Sequence, residues 1–199
     1  MKSPCLCMLV ALPAEARPLR RHFGLLRDNR CTALPLYRRD RLALAISGPG
    51  IGQAHGATVA ARAWLGPGPR SAWLNIGIAG HRSHPVGSAI LAREVRDHRD
   101  VRHWIVPPPP AWSGETGLLI TVPRPETRYP ARALYDMEGV GFFAAAREFA
   151  PPQRVQALKI VSDNRAHPPD GLDGRRVSRL IEAQLERVGQ LIEALAQTE

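Results

Sequence analysis

Leu134-Tyr135-Asp136-Met137-Glu138-Gly139-Val140-Gly141-Phe142-Phe143 constrains the fold more than any other stretch of the chain. Apolar Leu134 and Tyr135 lead into two carboxylates separated by one methionine, and a run of small and aromatic residues follows. That pattern predicts a strand passing directly into a helix that reaches about Phe149, with both acids at the junction. The carboxyl end of a strand is where open α/β sheets place ligand groups. A purely structural reading is equally open here: Asp136 caps the helix, and Glu138 sits in its first turn, where the helix dipole favours an acid.

Other apolar runs end in the same way. Cys5 to Leu12 is continuous and apolar, as in a strand buried on both faces, and Pro13 suits the first position of a helix that puts Glu15 just beyond that strand. Short strands are predicted at Ala33 to Tyr37 and Leu42 to Ile46 around a polar turn, Arg38 to Arg41. Ser47-Gly48-Pro49-Gly50-Ile51-Gly52 then forms a tight turn into a helix over Gln53 to Leu65. The spacing of those glycines is neither GxGxxG nor a Walker sequence. After the loop Gly66 to Pro69, a strand from Ser71 to Ile76 gives way to Gly77-Ile78-Ala79-Gly80, read as a loop just beyond the strand. Val86 to Val95 and Gly117 to Val122 read as strands, and residues 96–115, with four consecutive prolines, as an irregular excursion. Val155 to Val161 is a strand ending in Ser162-Asp163-Asn164. Asp173 to Ala196 is one long amphipathic helix, with Val177, Leu180, Ile181, Leu185, Val188, Leu191, Ile192 and Leu195 on its apolar face.

Strands alternating with helices imply an α/β fold, and 199 residues imply one domain. The net charge of +9 comes almost wholly from scattered arginines. No aromatic-interleaved basic stripe accompanies them, so the charge reads as a solvated surface and not as a nucleic-acid interface. Cys5, Cys7 and Cys31 are an odd set without metal-ligand spacing, and Cys5 and Cys7 share one strand face, which suits buried free thiols. No stretch has the length of a membrane span or of a signal-peptide core, which places the chain in the cytoplasm. His55, His81, His84, His103 and His167 are possible substrate contacts with a surface position as the plainer alternative. Five strand ends therefore carry candidate chemistry: Glu15, residues 47–52, residues 77–80, Asp136 with Glu138, and Ser162 with Asp163.

Ala-Leu-Pro-Ala-Glu after the first strand, Gly-Ile-Ala-Gly after a central one, Asp-Met-Glu-Gly opening a helix and Val-Ser-Asp after a late strand occur in a familiar order. The chain resembles the purine nucleoside phosphorylase/nucleosidase superfamily, over about residues 5–196, and within it the methylthioadenosine/S-adenosylhomocysteine nucleosidases. The resemblance implies a three-layer α/β/α domain around a mixed, largely parallel twisted sheet. It also implies a small purine nucleoside as partner, no cofactor or metal, and a homodimer or larger homo-oligomer. It gives Glu15 the activation of water and Asp163 the protonation of purine N7 and the reception of a 6-amino group. Met137 and Glu138 line the ribose, Ala79 and Gly80 lie along base and sugar, and Ser162 orients Asp163. Two departures favour hydrolysis over phosphorolysis: Ile78 stands where relatives carry Ser or Thr, and the strand Ala72 to Ile76 lacks an arginine. A third is the short segment at 97–130, which has no helix or aromatic base-stacking loop and fits a wider pocket for an adenosyl group on a bulky carrier. The alternatives are a phosphorylase, with Arg17 or Arg20 and the 47–52 turn holding phosphate, and a non-catalytic nucleoside-binding protein.

Overall fold

The structure is a computed structural model that describes residues 6–66 and 71–197. Cys5 and residues 67–69 of the expected loop lie outside the described residues. Among the described residues, ten strands and five α-helices follow one another. They are β1 (Leu6–Val10), α1 (Pro13–His22), β2 (Leu26–Arg27), β3 (Leu36–Arg39), β4 (Leu42–Ile46), α2 (Ile51–Leu65), β5 (Ala72–His81) and β6 (Ala89–Asp97). The rest are β7 (His103–Ile105), β8 (Glu115–Thr121), β9 (Leu134–Asp136), α3 (Gly139–Ala146), β10 (Val155–Asp163), α4 (Gly174–Glu182) and α5 (Leu185–Gln197).

The layering follows from the two-residue period of β1. Leu6, Met8 and Val10 enter a core completed by Ala16 and Leu19 of α1 and by Ile181, Val188, Leu191 and Leu195 of the last two helices. Cys7 and Leu9 point the other way, into a core completed by Ala54, Ala61 and Leu65 of α2 and by Val140, Phe142 and Phe143 of α3. Helices thus cover both faces of the sheet. Burial pushes the free Cys7 thiol up to about 12, which leaves it an inert apolar side chain.

β4, β1, β5 and β10 pair in parallel in that order and form the middle of a mixed sheet. β10 then pairs antiparallel with β6, β6 and β8 are parallel, β8 and β9 are parallel, and β9 returns antiparallel to β5. Five strands therefore close into a ring, and closure removes two edges that an open sheet would leave unpaired. β3 and β2 extend the opposite side by antiparallel pairing.

The structure corrects several expectations. Residues 77–80 are not a loop; β5 continues to His81 because β10 pairs with it from Val155↔Trp73 to Asp163↔Gly80. The hairpin expected around 38–41 narrows to Asp40–Arg41, with Asp40 in the left-handed region (φ 49°), and its strands are β3 and β4. The excursion at 96–115 contains β7, held as a hairpin on β6. The single long helix is two: a tight turn at Ala183–Gln184 separates α4 from α5, and Gln184 Nε2 donates to the Gly87 carbonyl at 2.8 Å. No proline or glycine marks that break; a tertiary contact sits at it. α2 begins two residues earlier than the pattern suggests, β6 begins only at Ala89, and α3 ends at Ala146.

Candidate active site

Because β4, β1, β5 and β10 are parallel, their carboxyl ends share one edge of the sheet. Asp136 and Glu138 arrive differently. β9 runs antiparallel to β5, from His81↔Leu134 to Gly80↔Tyr135, so it carries the two acids back alongside the late residues of β5. The result is one cavity of about 330 Å³, and Glu15, Ala79, Gly80, Met137, Glu138, Ser162 and Asp163 all border it. Pro49, Ile78, Glu126 and Leu172 complete much of its wall. No arginine, lysine or histidine lines it among the described residues. Arg17 and Arg20 border a separate surface depression with Arg21 and Leu26.

Glu15 sits in the first turn of α1 and is 2% exposed. One carboxylate oxygen accepts the backbone N–H groups of Ala11 (2.9 Å) and Leu12 (2.8 Å), and the other accepts that of Ile78 (2.9 Å). Burial raises its pKa against those amides and the charge of Lys159. A Cβ on Gly77 would come within 2.9 Å of Glu15 Oε1, so this strand position has to be bare.

The two acids of the opening motif divide the readings offered for them. Asp136 is structural: Oδ2 accepts the Gly139 N–H at the start of α3 (2.9 Å) and pairs with Lys159 Nζ (2.8 Å), and Oδ1 accepts the Thr121 hydroxyl (2.7 Å). Glu138 occupies the N-cap position, yet its carboxylate turns away from its own helix to accept the Gly50 N–H at 2.9 Å. The glycine turn at 47–52 thus commits an amide to Glu138 that a phosphate cradle would need. Burial, then the neighbouring Asp136 charge, raise the Glu138 pKa to about 7 against the pull of Lys159 and Gly50.

Lys159 is what sequence reasoning missed beneath these acids. It is 1% exposed on β10, opposite Gly77 of β5. Burial alone would lower its pKa, but the charges of Asp136, Glu138 and Glu15 outweigh that and hold it above the usual lysine value. One ammonium therefore serves three carboxylates. The signal was legible: apart from Lys2 it is the only lysine in the chain, and it stands inside an apolar strand run.

Asp163 closes β10 and is 7% exposed. Ser162 Oγ donates to its Oδ1, and the Tyr129 hydroxyl donates to its Oδ2. Nothing in the local sequence around Tyr129 announces that contact. The next polar residue, Asn164, is buried but does not border the cavity; its side chain donates to the His84 carbonyl (2.7 Å). Among the described residues no group of three His, Cys, Asp or Glu is placed to hold a metal ion, and no helix is long and apolar enough to cross a membrane.

Strand ends that gather four carboxylates around one cavity sit on an α/β scaffold with the fold of solved nucleosidase structures. Among solved structures, the chain matches Arabidopsis thaliana 5′-methylthioadenosine nucleosidase with a TM-score of 0.84 and 18% identity, over 100% of this chain and 98% of that one. It matches Helicobacter pylori 5′-methylthioadenosine/S-adenosylhomocysteine nucleosidase, bound to butyl-thio-DADMe-Immucillin-A, at 0.77 and 10% identity, over 97% and 99%. It also matches Helicobacter pylori futalosine hydrolase at 0.76 and 10% identity, over 96% and 98%. No protein-family model matches the chain, and no curated protein matches it by sequence.

Proposed function

We propose that this protein hydrolyses the N-glycosidic bond of a purine nucleoside or adenosyl compound. The observation that carries the reading is the convergence of Glu15, Glu138 and Asp163, far apart in the chain, on one cavity at the sheet edge. The solved nucleosidases of the same fold support it. Cleavage of the C1′–N9 bond sends the bonding pair to the departing purine and leaves positive charge on the ribose. Asp163 delivers its proton to N7 of the base, water adds its oxygen to C1′, and Glu15 takes the proton that the water loses. Glu138 accepts hydrogen bonds from the ribose hydroxyls and, when ionised, offsets the developing sugar charge. Met137 packs against the ribose, Ala79 and Gly80 flank base and sugar, and Ser162 steers Asp163. Asp163, as an acid able to receive an amino group, favours a 6-aminopurine.

Phosphorolysis is the weaker reading on three grounds. The Gly50 amide already serves Glu138, Arg17 and Arg20 border another depression, and among the described residues none that lines the cavity is a cation. By the same resemblance the chain works in the cytoplasm as a homodimer or larger homo-oligomer, which light scattering on the purified protein tests. The direct test of function is a panel of purine nucleosides and adenosyl thioethers, assayed chromatographically for free base with and without phosphate. Base release that is independent of phosphate is expected; release only with phosphate, or none, defeats the proposal.

A further inference from the structure

We propose that Tyr129 is a positioning residue that, with Ser162, clamps the carboxyl group of Asp163 in the plane needed to protonate the base; this rests on the nucleosidase reading above. The two oxygens of Asp163 each meet a hydroxyl donor, Ser162 on Oδ1 and Tyr129 on Oδ2. One donor would leave the carboxyl free to turn about its terminal torsion, which is intrinsically broad, whereas two donors on opposite oxygens fix its plane. They also act in the reaction. As Asp163 gives up its proton it becomes an anion, and two hydroxyls already aimed at its oxygens stabilise that anion without reorganising.

Tyr129 holds the acid without bordering the cavity, and it is 1% exposed. Burial, and then its hydrogen bond to Asp163, push the ionisation of its hydroxyl well up, so it stays a donor. The surroundings over-determine its place. Its backbone lies in the left-handed region (φ 46°), which a non-glycine residue rarely adopts unless its surroundings hold it there. Arg165 Nη2 donates to the carbonyls of Arg128 (2.9 Å) and Tyr129 (3.3 Å), and Arg82 Nη1 donates to that of Pro130 (3.2 Å). The ring packs edge-on against Tyr135, whose own hydroxyl accepts the Ala131 N–H at 2.8 Å. Gly80 makes the meeting possible: a Cβ there would lie 2.7 Å from both Asp163 Oδ2 and Tyr129 Cε1.

The test compares two substrates of different leaving-group demand in Tyr129→Phe, which keeps the ring and removes only the hydroxyl, with circular dichroism and the melting temperature checking that the variant is folded. A purine nucleoside needs a proton on its base, whereas 4-nitrophenyl β-D-ribofuranoside releases a stable phenolate and needs none. Tyr129→Phe is expected to lower kcat for the purine nucleoside about tenfold to a hundredfold, leave KM within about twofold, and spare nitrophenol release. Equal loss on both substrates means that the tyrosine only supports the fold, and no loss on either means that it does not position the acid; each result overturns the clamp while leaving the nucleosidase reading intact. If the unaltered protein cleaves neither substrate, the nucleosidase reading itself falls and takes the clamp with it.

Discussion

At the scale of single residues, the site is an arrangement of buried acids that one ammonium holds together. Lys159 is paired to Asp136 at 2.8 Å with both side chains buried, and removing one partner of such a pair strands the other charge. Lys159→Met should therefore destabilise the protein by about 3–5 kcal/mol, read as a lower midpoint in denaturant; an unchanged midpoint would mean that the pair is dispensable. Asp163→Asn cannot donate a proton and should slow base release by about 10²–10⁴-fold, with circular dichroism unaltered; retained rate would remove Asp163 from the chemistry. Glu138→Gln should impair ribosides more than 2′-deoxyribosides, since only the former offer the second hydroxyl. Equal losses in kcat/KM would mean that Glu138 does not read it.

At the scale of elements, the site depends on bare backbone where two elements cross. A Cβ on Gly141 would overlap the Ile51 carbonyl at the start of α2, so α3 reaches that helix, and Glu138 reaches Gly50, only because position 141 has no side chain. Gly141→Ala should cost about 1–3 kcal/mol by overpacking and lower the melting temperature by several degrees, with weaker activity; an unshifted melting curve contradicts this close crossing. Elements with strong local signals were legible in the sequence. β1 read as a buried strand because every residue in it is apolar, β10 because apolar residues dominate it between Val155 and Val161 despite Gln156 and Lys159, and α1 announced its start with Pro13. The acids at strand ends stood out for the same reason, although the residues alone left capping as open as ligand contact, and Asp136 does cap α3. What was hidden arises from pairing at a distance. Residues 77–80 look like a loop, and only the partners β10 and β9 keep them in a strand. The division between α4 and α5 carries no local breaker, and Tyr129 meets Asp163 across 34 positions of sequence. The three-residue β7 is too short for periodicity to reveal.

At the scale of the whole molecule, gathering acids in a low-dielectric cavity makes stability depend on pH. Glu138 holds its proton up to about 7 when folded, whereas the unfolded chain releases it near the ordinary value of 4.5. Between those values the folded state binds more protons than the unfolded state, so stability falls as pH rises through the window and the loss is complete above it. Glu15, raised by burial, acts with the same sign. The melting temperature should therefore decline between pH 5 and about 7, and Glu138→Gln should flatten that decline; an identical slope in both proteins would exclude Glu138 as its source. The closed ring of strands and the parallel sheet edge frame one cavity, and under the proposed function a water is held there between Glu15 and a sugar whose base leaves under the control of Asp163. The most direct measurement of that claim is to let the protein act on an adenosyl thioether or purine nucleoside in oxygen-18-labelled water and weigh the sugar product. The account predicts free base and a reducing sugar carrying one heavy oxygen at C1′. A sugar phosphate, an unlabelled sugar or unreacted nucleoside would contradict it.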